Sequence, residues 1–290
     1  MSGPAPGSPE WLSIVTASKA GAIIGVSPWQ SPYALWMEMK GRSEPRQQTT
    51  AMSRGNYLEP AILAWWRDRR PPPEYDEHVY QEQVWHTHEG WAGATVDAET
   101  EWSGEKVIVE AKSAARMDEW GDPGTDAIPP YYLSQVYFQL AVTGAARCYV
   151  PVIGPYLEFS EYVVEADIGF QDDILHRCKA FHDSLEADEP PELDGSVATY
   201  AAVRKSVEGI DKDRGVELTA HVAVELIEAK AGVEAAQSRD RLARSVVITE
   251  MGEAQFAMHN GHKIARRQAN GFYPVAKDAA AITKPKGIAS

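Results

Sequence analysis

From Val79 to Lys112 the chain gives up helical spacing. Val79 to Trp85 and Val107 to Val109 are rich in β-branched and aromatic residues, with Gly90, Gly93 and Gly104 as breaks, so a run of strands is expected through Lys112. Helical patterns stand on both sides. Upstream, Ser18 is placed to cap a short helix that carries Ala20, Ile23 and Ile24 and ends at Gly25. Ser31-Pro32 opens a second helix with Leu35, Trp36 and Met39, ended by Gly41. Ala51 to Asp68 reads as a third, with Leu58, Ile62 and Trp65 spaced for one buried face, and Pro71-Pro72-Pro73 stops it. Downstream, Pro129-Pro130 introduces an amphipathic helix from Tyr131 to Thr143. Strands at Arg147 to Ile153 and near Glu158 to Glu165 follow, then a helix from Phe170 to Leu185. The class expected is α/β, a central mixed sheet flanked by helices.

Three segments are expected. Residues 1–10 are Gly/Pro/Ser-rich and read as a flexible arm; residues 11–189 form the body; Pro190-Pro191 marks a linker into a C-terminal extension, residues 190–290. The extension carries a long helical stretch from Val216 to Val246. After it, Ala254 to Gln268 reads as a hairpin, because Asn260-Gly261 supplies the positive φ angles of a tight turn. A chain of 290 residues is long enough to bury a substantial core.

Two cysteines, Cys148 and Cys178, lack partners at metal-ligand spacing, which disfavours a disulfide framework, a zinc knuckle and an iron–sulfur cluster. No apolar run has the length of a membrane span, and the N-terminus lacks the basic and apolar regions of a signal peptide. A cytoplasmic protein is expected. The formal net charge of -14 opposes general affinity for nucleic acid, but a local basic track suffices for phosphate, and a carboxylate cluster built for a cation is itself negative.

The residues with chemical promise are Asp97 and the run Val107-Ile108-Val109-Glu110-Ala111-Lys112. Alternation along a strand puts Glu110 and Lys112 on one face. Asp97 and Glu110 offer hard oxygen ligands for Mg²⁺, which polarises a phosphoryl oxygen and lowers the pKa of water, while Lys112 is suited to hold water and stabilise developing charge. Taken alone the pattern is weak, since an exposed Glu-x-Lys is ordinarily a solvated face. His86 and His88 lack further ligands and read as a solvated strand end. Trp65 and Trp66, adjacent on a helix, cannot both face inward. Arg67, Arg69 and Arg70 form one basic patch, which reads equally as phosphate track or solvated helix end; Lys263, Arg266 and Arg267 form another, which offers a grip on DNA or a neighbouring subunit, with a solvated strand slightly the stronger reading.

Four blocks in order change the weighing. Over residues 10 to 185 the chain resembles the lambda exonuclease and YqaJ-like recombinase family of PD-(D/E)XK nucleases. The blocks are Thr16-Ala17-Ser18; Gly55-Asn56-Tyr57-Leu58-Glu59-Pro60; Ala94 to Asp97 with Glu110-Ala111-Lys112; and Tyr131-Tyr132-Leu133-Ser134-Gln135-Val136 with Val142-Thr143-Gly144. Two departures stand out: Val96-Asp97-Ala98 replaces the common Pro-Asp-Gly, and Glu10-Trp11 stands where members often carry a basic residue.

The resemblance implies an Mg²⁺-dependent DNA exonuclease, with Mn²⁺ able to substitute. Glu59, Asp97, Glu110 and the Ala111 carbonyl are the implied metal ligands; Asp97, Glu110, Lys112, Gln135 and Tyr131 the catalytic set; Ser18 and Arg54 the DNA contacts. It further implies double-stranded DNA ends as substrate with 5′ to 3′ digestion, a homo-oligomer, and a single-strand annealing partner in phage-type recombination, in the host cytoplasm if the chain is phage-encoded. Two alternatives remain open: a Cas4-like or endonucleolytic member of the same superfamily, and a non-catalytic DNA-binding or assembly protein on the same fold.

Overall fold

Proline and hydroxyl side chains fix where the helices start. Pro9, Pro32 and Pro130 each open a helix, where a missing N–H is no loss, and Ser8, Ser31, Thr49, Ser196 and Thr219 cap helices through their side-chain oxygens. The computed structural model describes residues 3–44, 48–70, 78–207, 209–269, 271–275, 279 and 282, so the expected stop at Pro71-Pro72-Pro73 lies outside the described residues. In chain order the elements are α1 (Pro9–Ser13), β1 (Val15–Thr16), α2 (Ala17–Ile23), α3 (Pro32–Met39), α4 (Thr50–Asp68), β2 (Gln81–His88), β3 (Ala92–Trp102), β4 (Glu105–Val109) and β5 (Lys112–Ser113). There follow α5 (Pro130–Thr143), β6 (Arg147–Ile153), β7 (Phe159–Glu165), α6 (Ile168–Ala187), α7 (Val197–Ser206), α8 (Ala220–Met251), β8 (Phe256–His259), β9 (His262–Gln268) and β10 (Gly271–Pro274). Among the described residues no helix is long and apolar enough to cross a membrane.

The chain divides into two units, Met1–Ile210 and Asp211–Ser290. The division falls well after Pro190-Pro191, because α7 belongs to the first unit: Thr199 donates its hydroxyl to Ser31 at 2.7 Å and packs α7 on α3.

The first unit holds a seven-stranded mixed sheet in the order β1-β3-β4-β6-β5, with β2 added to β3 and β7 to β6. β1 runs parallel to β3, and β4 and β5 run parallel to β6; the other pairs are antiparallel. Helices cover both faces, as expected. Ile108 joins the larger core with α2, α3, α5 and α6, whereas Val107 and Val109 pack with Leu63 and Trp66 of α4. That alternation continues past the strand and sends Glu110 to the α5 face.

The sheet opens at one place. β3 pairs with β1 only through Gly93 and with β4 only from Ala98, so residues 94–97 face a gap on that edge. On the other side of the gap, β4 ends at Val109 and the chain resumes pairing as β5 at Lys112. The step between them is Glu110-Ala111.

Several expectations need correction. Ser18 does not cap α2; Thr16 occupies the cap position, and the two hydroxyls lie 3.2 Å apart. His86 is no solvated strand end, for its Nε2 lies 2.7 Å from Glu99 Oε2 in a half-buried pair, and His88 sets its ring edge-on to Trp91. The buried face of α4 is Ile62, Leu63 and Trp66 rather than Leu58, Ile62 and Trp65; Trp65 is half-buried and stacks on Phe159.

Lys19 is buried in the first unit. Its Nζ donates to the carbonyls of Trp11 and Ile14 and lies 3.7 Å from the centre of the Trp11 ring. Burial pulls its pKa from 10.5 down to about 7, against a smaller upward pull from Glu38. A neutral amine still has two N–H groups, which matches the two carbonyl acceptors. Because the folded value lies below the unfolded one, the unfolded chain holds more protons between them, and stability rises as pH rises through that window. Urea midpoints are therefore expected to climb between about pH 7 and pH 10, with that slope missing in Lys19→Met.

Among its described residues the second unit consists of α8 and a three-stranded antiparallel sheet, β10-β9-β8. Asn260 and Gly261 turn the hairpin with φ of +49° and +80°, as the dipeptide requires. The third strand, β10, is an addition to the expected hairpin.

Candidate active site

Glu110 is the centre of the site because the chain leaves β4 there while still held by the sheet. Its backbone N–H donates to the Tyr149 carbonyl at 2.9 Å, which fixes the side chain on the α5 face. The residue is 4% exposed, so both oxygens of its carboxylate need partners from the protein. Lys112 Nζ and Gln135 Nε2 donate to Oε1, the latter at 2.6 Å, and Gln139 Nε2 donates to Oε2 at 2.6 Å. Gln135 also accepts from Lys112 through its Oε1 at 3.3 Å, so one amide orients both charged groups. Sequence reasoning missed Gln139. It stands one helical turn beyond Gln135 on the same face of α5, and two glutamines four residues apart on a buried face were a readable signal.

Asp97 reaches the same place from across the sheet gap. Its Oδ2 accepts the N–H of Ala111 at 2.7 Å, a group freed from the ladder by the step between β4 and β5. Thus the break in pairing supplies a donor for one carboxylate and sets the other opposite it. Burial, then Glu110, pushes the Asp97 carboxyl well above the usual range, with Lys112 and the Ala111 N–H opposing. For Lys112, burial alone would lower the pKa, but Glu110 and Asp97 outweigh it and the net shift is upward, so the side chain is an ammonium. Tyr132 covers it, with its ring centre 4.8 Å from Nζ.

Glu59 lines the same cavity, of about 500 Å³, together with Thr16, Ser18, Asn56, Asp97, Glu110 and Gln135. Its carboxyl is raised by burial and then by Glu110, and its Oε1 accepts from Gln83 Nε2 at 2.5 Å. Residues Gly3 to Pro6 line this cavity as well, so that part of the expected arm lies against the site, where a Cβ on Gly3 would come within 2.6 Å of the Trp85 ring. Tyr131 is placed differently from Gln135: its hydroxyl donates to Glu119 at 3.0 Å and its ring meets Trp29 edge-on. Arg54 is exposed on α4.

The donor set suits a hard cation. Glu110, buried, and Asp97, half-buried, have the single ammonium of Lys112 near them, so the pair is short of positive charge, and its free donors are oxygens. Among the described residues no three His, Cys, Asp or Glu side chains are gathered closely enough to hold an ion by themselves. Asp97 and Glu110 would supply two oxygen ligands, leaving water to fill the rest of the shell of any ion held there.

Residues 11–146 match the family model of the YqaJ-like viral recombinase domain. The chain is 26% identical over 221 residues to the uncharacterized protein YqaJ of Bacillus subtilis (strain 168), covering 73% of this chain and 67% of that one. Among solved structures, it is similar to an alkaline exonuclease from Laribacter hongkongensis, with a TM-score of 0.47 and 20% identity over 61% of this chain and 90% of that one. A phage-related exonuclease from Haemophilus somnus 129PT gives a TM-score of 0.43 and 12% identity over 60% of this chain and 96% of that one.

Proposed function

We propose, starting from the YqaJ-like domain that residues 11–146 match, that the chain is a magnesium-dependent nuclease that hydrolyses phosphodiester bonds from double-stranded DNA ends. One observation carries the reading: Glu110, buried beside Asp97, is gripped by Lys112, Gln135 and Gln139 at a break in the sheet. An acidic pair packed this closely, with Asp97 pushed toward its neutral form by burial and by Glu110, supports a site where a cation would take the place of the proton.

Asp97, Glu110 and the Ala111 carbonyl would hold the ion, with Glu59 in support, and the ion supplies Lewis acidity at the phosphoryl oxygen and a lowered pKa for water. Lys112, beside the ion, would hold or deprotonate the attacking water and stabilise negative charge as it develops on the phosphate. Gln135 keeps Lys112 and Glu110 in mutual register through its two-ended amide. Gln139 fixes the far oxygen of Glu110, so the carboxylate cannot rotate away. Ser18 lines the cavity, which supports its contact with a phosphate of the strand being cut. The same reading extends to a homo-oligomer working beside a single-strand annealing protein, with digestion from 5′ to 3′ and Mn²⁺ in place of Mg²⁺.

End-labelled linear duplex and covalently closed circular duplex separate the possibilities. Loss of linear DNA with Mg²⁺ and not with chelator, while circles survive, is expected, and the position of the label gives the polarity. Cutting of the circles would replace the exonuclease with an endonuclease; no cleavage of either by folded protein would leave a DNA-binding protein.

A further inference from the structure

Gln83 stands where the sheet calls for an ordinary extended residue. On one side Glu82 pairs with Ala98, on the other Val84 pairs with Val96, and the register is the same before and after. No residue is inserted, so this is not a bulge. Yet Gln83 has φ of +56°, in the left-handed region that disfavours a side chain, and it makes no ladder pair although it stands opposite Asp97 by count. Something other than strand pairing must hold it there, since strain of this kind persists only where the surroundings fix it.

The side chain shows what that is. Turned out of the strand, Gln83 donates from Nε2 to Glu59 Oε1 on α4, and both residues line the cavity that contains Asp97 and Glu110. A neutral amide is the right donor for the task. It fixes one oxygen of Glu59 without cancelling the negative charge, whereas a lysine or arginine would form a salt bridge and remove the carboxylate from use.

We propose that Gln83 is a positioning residue, held in a strained backbone so that its amide fixes the Glu59 carboxylate in the wall of the cavity that Asp97 and Glu110 also line. The inference rests on the reading of Glu59 as support for a divalent cation. Outer partners of this kind commonly govern affinity for the ion as strongly as ligands do.

Gln83→Gly separates strain from function, because glycine accepts the left-handed angle and has no amide. The thermal midpoint without metal is expected to rise, while Mg²⁺ binding, measured by titration calorimetry with the metal alone, weakens by about 10-fold or more. Gln83→Asn, which also tolerates the angle but falls short of Glu59, is expected to weaken Mg²⁺ binding to the same degree. Glu59→Gln serves as the reference. If Glu59→Gln weakens Mg²⁺ binding and Gln83→Gly does not, the positioning role is wrong and the cation reading stands. If neither weakens it, the role assigned to Glu59 is wrong and this inference goes with it. A midpoint for Gln83→Gly below that of Gln83→Ala, which loses the same hydrogen bond but keeps a Cβ, would mean that the backbone there is not strained, which also overturns it.

Discussion

Lys112→Ala is expected to cut the rate of linear duplex cleavage by about 10²- to 10³-fold, the usual cost of losing one preorganised donor at a developing charge. The same change is expected to lower the unfolding free energy of the metal-free protein by about 3–5 kcal/mol, as when one partner of a buried ion pair is removed. Both effects come from one geometry. Lys112 and Glu110 have side chains 13% and 6% exposed, so their ion pair is shielded from water, and Asp97 adds a second negative group within reach. Removing the ammonium leaves two carboxylates facing each other in a poor solvent. The double variant Lys112→Met with Glu110→Gln tests the account, because it removes the charge on both sides. Most of the lost stability should return in urea titrations, with cleavage still absent in the gel assay. If the single variant unfolds no more readily than the parent, the buried-charge argument is wrong, whatever happens to the rate.

What the sequence disclosed of this site follows from what local rules can see. Alternation in Val107 to Lys112 put Glu110 and Lys112 on one face, and that is where they lie; helix spacing found α5, and the Asn-Gly rule found the turn of the C-terminal sheet. The same rules could not see the gap between β1 and β4 along β3. That gap depends on two strands far apart in the chain sharing one edge of a third, and it is what frees the Ala111 N–H for Asp97. Gln83 was hidden for a related reason: a lone glutamine says nothing of its partner until β2 is laid beside α4. Ser18 failed as a cap because Thr16 ends a strand that pairs with β3, so the helix begins earlier than hydroxyl preference alone suggests.

The basic patch at the end of α4 shows how a charge run read from sequence can be taken up by the fold. Arg70 is no solvated cation. Its guanidinium pairs with Glu161, and it lies 4.9 Å from the ring centre of Trp66 and 4.8 Å from that of Tyr149, with both charged side chains mostly buried. Arg69 is exposed, with its guanidinium 5.0 Å from the Trp65 ring, and Arg67 meets Glu82 in a surface pair. Arg70→Ala is therefore expected to cost about 3–5 kcal/mol of stability, by stranding Glu161 against the sheet. Arg69→Ala should cost about 1 kcal/mol or less, as exposed cation–π contacts do. Adding Glu161→Gln to Arg70→Ala should restore part of the loss, since the group left behind is then neutral. Equal and small stability changes across the arginines, together with equal losses of DNA affinity that steepen at low salt, would instead make the patch a phosphate track. The aromatic cage around Arg70 argues for the first outcome, because a side chain enclosed by Trp66, Trp102 and Tyr149 presents little of its charge to a passing strand.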